Sequence, residues 1–191
     1  MSDLIGAKTC NASRSVQSSY VLPPDTNNHQ TLYGGKLMTY IDNVAARAAM
    51  RHARRPIVTA STDSIDFLHP IRVGYEVCLE AFVTWTHKTS MEVFVKVIGE
   101  DLLTGERKVC ATSFLTFVAL GDDGRPTEVD KVIPETPEEL QLHNSAPARA
   151  SARKERRQES KRLAQVFGTR RPWDLPSTAA AGEPTPDRLN K

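Results

Sequence analysis

The hydrophobic positions of this chain follow two different periods. From Leu37 onward, Leu37, Met38, Ile41, Val44, Ala45, Ala48 and Ala49 recur at three- and four-residue steps, the spacing of a helix that lays one face on a core. Further along, Tyr75–Lys88 alternates, with Val77, Leu79, Ala81, Val83 and Trp85 on one face, as a half-buried strand does. Glu92–Glu100 repeats that pattern with Val93, Val95 and Val97, and Lys108–Leu120 is rich in Thr, Phe and Val. Two further strands are expected: Ser13–Leu22, ended by Pro23-Pro24, and Ile57–Leu68, ended by Pro70. Pro56 cannot continue the helix and pushes Arg55 towards an extended state. The connections His87–Ser90 and Asp101–Glu106 are short enough for antiparallel neighbours. One long helix wrapped by a run of antiparallel strands makes an α+β domain. Glu92–Glu100 or Lys108–Leu120 would leave an exposed edge unless covered, so a homo-oligomer is expected.

Composition changes this picture little. At 191 residues, 39% hydrophobic and 25% charged, the chain is expected to be one soluble globular domain. No apolar run approaches membrane-spanning length, and the first fifteen residues lack a signal-peptide pattern. Cys10, Cys78 and Cys110 are odd in number and widely spaced, which reads as reduced thiols in a cytoplasmic protein. The five histidines show no metal-ligand spacing, so no metal is expected.

Charge divides the chain. Residues 1–146 hold 14 basic and 18 acidic side chains, whereas residues 147–191 hold 11 and 5, so an acidic body carries a basic tail. A domain over residues 10–145 is therefore expected, followed by a tail over 146–191, helical in its first half and disordered in its second. The tail has only Phe167 and Trp173 as aromatics. Nucleic acid is not the expected partner; a solvated helix face or contacts to a ligand's phosphates are the two uses left open.

The candidate chemistry lies where a polar loop enters the long helix, PDTNNHQTLYGGKLMTYIDNVAARAAM, residues 24–50. Asp42 falls within the apolar stripe, where loss of water disfavours the charged form. A bland reading stands beside this: an Asp early in a helix can simply answer the dipole. Gly34-Gly35 allows close approach of a ligand, and first-turn N–H groups can hold an oxyanion. His29 in the loop is either a ligand contact or a surface residue. No G-x-S-x-G elbow, phosphate loop or dinucleotide fingerprint is present.

Four blocks in order, DTNNHQTLYGGKLMTYIDNVAA, TASTDSIDFLHPIRVG, HKTSMEVFVKV and TGERKVCATSFLTFVAL, resemble the hotdog-fold acyl-CoA thioesterases. The likeness is to the cytosolic acyl-CoA hydrolases of the YciA and brain-hydrolase type, over about residues 14–150. It implies a helix wrapped by an antiparallel sheet, a dimer with one continuous sheet, and a hexamer built as a trimer of dimers. It also implies that acyl-CoA is hydrolysed to a free acid and CoA, with no cofactor beyond the CoA of the substrate. By resemblance, Asn27 and Asp42 are the catalytic pair, drawn from opposite subunits, with Asn28 and Asn43 as neighbouring alternatives. The N–H groups at Gly34 and Gly35 would face the oxyanion. Lys88, Thr89 and Ser90 would lie near the CoA nucleotide, with Arg149 and Arg153 (and Lys154) reaching its phosphates.

Three departures from the family pattern are visible. Gln30 stands where Gly is common, Tyr33 where Phe is common, and His87-Lys88 where Gly-Arg is common. Two other functions fit the same fold. One is a regulatory protein that binds acyl-CoA and leaves it intact, against which the presence of Asp42 argues. The other is a hydratase, which would want a histidine beside Asp42, where none stands.

Overall fold

The computed structural model describes residues 6–169 and 171. In chain order its elements are β1 (Ala7–Thr9), α1 (Cys10–Ser13), β2 (Ser15–Tyr20), a 3-10 turn (Pro23–Asp25), α2 (Gly34–Ala53), β3 (Ile57–Phe67), β4 (Glu76–Thr86), β5 (Ser90–Glu100), β6 (Arg107–Ala119), β7 (Lys131–Ile133) and α3 (Pro137–Val166). The apolar stripe becomes α2, which buries Leu37, Ile41, Val44, Ala45, Ala48, Ala49 and His52. It stops at Arg54, which turns left-handed (φ 52°) and donates its N–H to the Met50 carbonyl at 2.8 Å.

Five strands form one antiparallel sheet in the order β2-β4-β5-β6-β3. The hairpins β4–β5 and β5–β6 place β5 in the middle, and β3 pairs with the far side of β6. This corrects the expected edges. Glu92–Glu100 and Lys108–Leu120 are interior, and the free edges belong to β2 and to the eleven-residue β3. A hydrophobic pattern reports which face of a strand is buried, not which neighbours flank it. The parallel pair β1–β7 was not foreseen, because three-residue strands carry no periodicity.

The middle strands of the sheet, β4 to β6, are buried on both faces. Val77, Leu79, Ala81, Val83, Val93, Val95, Val97, Leu115 and Phe117 are buried on the helix side. On the outer side a cross-strand row of rings runs Phe82–Phe94–Phe114, with centroids 5.9 and 5.1 Å apart. Arg14 stacks over Phe82 at 4.4 Å and Arg149 over Phe114 at 4.2 Å, a favourable use of the ring quadrupole. The first turns of α3 cover this row, which is why β4 and β5 are more than half-buried. The helix opens on a capping box. Thr136 Oγ1 accepts the Glu139 N–H at 3.2 Å, and Glu139 Oε2 accepts the Thr136 N–H at 3.1 Å. Glu139 also pairs with Arg14.

The chain divides into two units, residues 1–150 and 151–191. The described part of the second is the last half of α3, mostly exposed. The expected basic helix is thus present, although it begins at Pro137, before the expected boundary. The expected disordered half of the tail lies almost wholly outside the described residues.

Candidate active site

The loop before α2 is held by its own backbone. Asn27 N–H donates to the Thr31 carbonyl at 2.9 Å, and Gln30 N–H returns to the Asn27 carbonyl at 3.0 Å. Gln30 closes the turn with φ +57°, a left-handed conformation that favours glycine. The loop is anchored to the chain beyond β3 through Leu32 N–H to the Ile71 carbonyl (2.7 Å) and Val73 N–H to the Gln30 carbonyl (3.1 Å). Asn27 Oδ1 accepts from His29 N–H (2.9 Å), Thr31 N–H (3.3 Å) and Thr31 Oγ1 (3.2 Å), an Asx turn that fixes the side chain.

Asn27, Thr31, Gly34, Leu37, Phe67 and Ile71 line a cavity of about 440 Å³. Gly34 and Gly35 open α2, so their N–H groups have no carbonyl one turn back to bond. A Cβ on Gly35 would stand 2.5 Å from the Tyr33 ring. Asn27 of the loop and Gly34 at the start of α2 therefore line one cavity.

Asp42 does not join them. It lies eight residues along α2 from Gly34, roughly 12 Å at the helical rise per residue. The structure also corrects its expected burial. Asp42 is exposed, as is Met38 (46%). It lies about 100° around the helix from the fully buried Ile41, at the rim of the stripe rather than inside it. Its Oδ1 accepts from Thr59 Oγ1 of β3 at 3.3 Å. Met38, Ile41, Asp42, Asn43, Thr62 and Ile65 line a second cavity, of about 410 Å³. Sequence reasoning missed Thr59 and Thr31. The only signal for Thr59 was a run of hydroxyl residues on β3, and a strand neighbour of a helix residue is not visible in local spacing.

Lys88 and Thr89 lie in the β4–β5 turn, and Ser90 opens β5. Ser90 pairs with Val118, whereas Phe67 at the Asn27 cavity pairs with Ala111. The turn is therefore about seven residues away along β6, roughly 23 Å, at the opposite end of the sheet. Lys88 is exposed, 3.9 Å from Glu128. The expectation that Arg149 is presented to a ligand needs correction. Its guanidinium embraces the fully buried Glu92 carboxylate (2.7 to 3.2 Å) and donates to the Leu142 carbonyl at 2.6 Å. Arg153 belongs to the second unit. Burial raises the pKa of all three cysteines, Cys10 to about 12, so none supplies a thiolate nucleophile at neutral pH.

The Thioesterase superfamily model matches residues 29–106. YkhA of Bacillus subtilis, an uncharacterized acyl-CoA thioester hydrolase, is 58% identical over 164 residues, covering 86% of this chain and 95% of the relative. The chain belongs to the thioesterase superfamily, among its acyl-CoA hydrolases. The hotdog fold of this enzyme family is the helix-and-sheet arrangement described above. An acyl-CoA hydrolase from Staphylococcus aureus, solved with butyryl coenzyme A, coenzyme A and coenzyme A disulfide, superposes with a TM-score of 0.81 at 42% identity, over 84% of this chain and 98% of that one. The same protein has been solved with an aspartate, a threonine or an asparagine replaced by alanine, the last with coenzyme A bound. A hexameric acyl-CoA thioesterase also matches, with a TM-score of 0.78 at 49% identity, over 80% of this chain and 97% of that one.

Proposed function

We propose that this enzyme hydrolyses acyl-CoA to a free acid and CoA at a site shared by two chains, with Asp42 of one and Asn27 of the other. The carrying observation is that Asn27 and Asp42 line separate cavities in a single chain. A second chain can reunite them. The free edge of β3 is long and carries exposed Val58 and Phe67, and such edges are normally paired or covered. Two β3 edges paired antiparallel exchange ends. The Asp42–Thr59 half of one chain then meets the Asn27–Phe67 half of the other. Lys88, Thr89 and Ser90, on the Asp42 side, are carried to the same place, where they can meet the nucleotide of CoA. The substituted asparagine, aspartate and threonine of the Staphylococcus aureus hydrolase stand fifteen and seventeen residues apart. Asn27, Asp42 and Thr59 repeat both intervals, which supports the assignment.

Asp42 acts as general base or as nucleophile. As base it takes a proton from water while the hydroxide adds to the thioester carbon, and it later returns that proton to the departing thiolate. As nucleophile its oxygen adds directly, the thiolate leaves, and water cleaves the resulting anhydride. Thr59 holds the carboxylate, and the N–H groups at Gly34 and Gly35 stabilise charge on the carbonyl oxygen. The full assembly is a trimer of such dimers, in the cytoplasm, as the reduced thiols suggest.

Thiol release over a panel of acyl chain lengths tests the activity. Asp42→Asn should lower kcat roughly 10²-fold or more with little change in KM. Mixing inactive Asp42→Asn and Asn27→Ala proteins under subunit exchange should restore activity, because some dimers then hold one intact site. Confirmed exchange without recovery would place both residues in one chain's site. Binding of acyl-CoA without turnover would favour the regulatory protein instead.

A further inference from the structure

We infer that Thr31 is a positioning residue that commits Asn27 to act as a hydrogen-bond donor to the thioester carbonyl oxygen, rather than as an acceptor from the attacking water. The inference rests on the hydrolase reading above and asks what that site can do with one amide. The two ends of an asparagine side chain are normally hard to tell apart. Here the surroundings decide. The N–H groups of His29 and Thr31 reach one end of Asn27 at 2.9 and 3.3 Å, and a backbone N–H can only donate. That end is therefore the oxygen. Thr31 Oγ1, 3.2 Å from the same atom, adds a third donor, and the oxygen is saturated.

The NH₂ end is left on the far side of the planar amide. Among the described residues it has no hydrogen-bond partner, and Asn27 lines the cavity that Gly34 also lines. As water or the Asp42 carboxylate adds to the thioester carbon, the π pair moves onto the carbonyl oxygen. An amide donor from one side and the first-turn N–H groups of α2 from the other meet that charge together. When the carbonyl re-forms and the thiolate leaves, Asn27 has neither gained nor lost a proton. Two of the three bonds that set the amide are backbone bonds of the loop itself. The Thr31 hydroxyl is the one a substitution can remove, and Thr31 also lines the cavity.

The test uses the full-length protein, thiol release from acyl-CoA and thermal melts of each variant. Asn27→Asp keeps an oxygen for the same three donors but replaces the NH₂ with an acceptor, so a purely structural Asx turn would survive it. The expected result is a normal melt with kcat lowered roughly 10²-fold or more, as in Asn27→Ala. Thr31→Val, which keeps shape and backbone, should lower kcat roughly 5- to 20-fold with KM little changed, and Thr31→Ser should restore most of the loss. Asn27→Asp retaining more than roughly a tenth of wild-type kcat overturns the donor role, since loss of an oxyanion donor costs far more. A Thr31→Val protein as active as wild type, or a Thr31→Ser protein as poor as Thr31→Val, overturns the positioning role. In all these cases the wild-type protein still hydrolyses acyl-CoA. Absence of thiol release from the wild type instead removes the hydrolase reading, and this inference with it.

Discussion

Removing the Arg149 guanidinium tests whether that arginine belongs to the ligand or to the fold. The Glu92 carboxylate is fully buried, and the Arg149 side chain is 24% exposed. Thr84 Oγ1 also donates to Glu92 Oε1 at 2.9 Å, but a hydroxyl does not neutralise the charge. Arg149→Ala therefore takes a bidentate guanidinium away from a buried carboxylate, and it uncovers the Phe114 ring. Breaking one side of a buried ion pair typically costs about 3–5 kcal/mol. In a domain of this size each kcal/mol lowers Tm by roughly 2–4 °C, so a drop of about 6–20 °C is expected. The assay is differential scanning fluorimetry at one fixed protein concentration, because assembly makes Tm concentration-dependent. The double variant Glu92→Met/Arg149→Met should recover much of the loss, since an apolar pair of similar volume can replace a buried ion pair. KM for acyl-CoA, measured below the variant's melting range, should stay near the wild-type value. An unchanged Tm together with a raised KM would refute the reasoning and return Arg149 to the ligand.

Two other expectations follow from the backbone and from titration. Gln30 sits at φ +57°, so Gln30→Val should lose about 1–2 kcal/mol, as β-branched side chains fit this region poorly, whereas Gln30→Gly should lose nothing. Equal Tm values for the two variants would show that the loop relaxes. His52 is buried; its Nε2 donates to the Asp130 carbonyl at 2.9 Å, and its Nδ1 has no hydrogen-bond partner among the described residues. Burial foremost lowers its pKa, Lys8 lowers it further, and Asp130 acts in the opposite sense. The unfolded chain takes up a proton near pH 6.5 while the folded one does not, so stability is unaffected above that pH and falls as the pH drops below it, by at most about 1.4 kcal/mol per unit. Urea midpoints between pH 7.5 and 5 should fall less in His52→Gln; parallel curves for the two proteins would assign the acid sensitivity elsewhere.

Much of this protein is legible in one dimension, because burial is periodic. The three- and four-residue stripe became α2, the alternating runs became β4, β5 and β6, and Pro23, Pro56 and Pro70 marked ends that the structure keeps. The linked sequence blocks carried the family. What local spacing could not decide was which residues meet across elements. Asp42 shares the stripe's step yet stands at its rim, since a helix turns about 100° per residue and one position separates the core from the surface. Thr59 reaches Asp42 only because the sheet order puts β3 beside α2. Arg149, one basic residue among many in a tail, is set apart by the fully buried Glu92 beneath it. The separation of Asn27 from Asp42 was likewise invisible in a fifteen-residue interval. Along a chain, fifteen residues that include a turn and two helical turns have no fixed span; only the folded path shows that the two groups line different cavities.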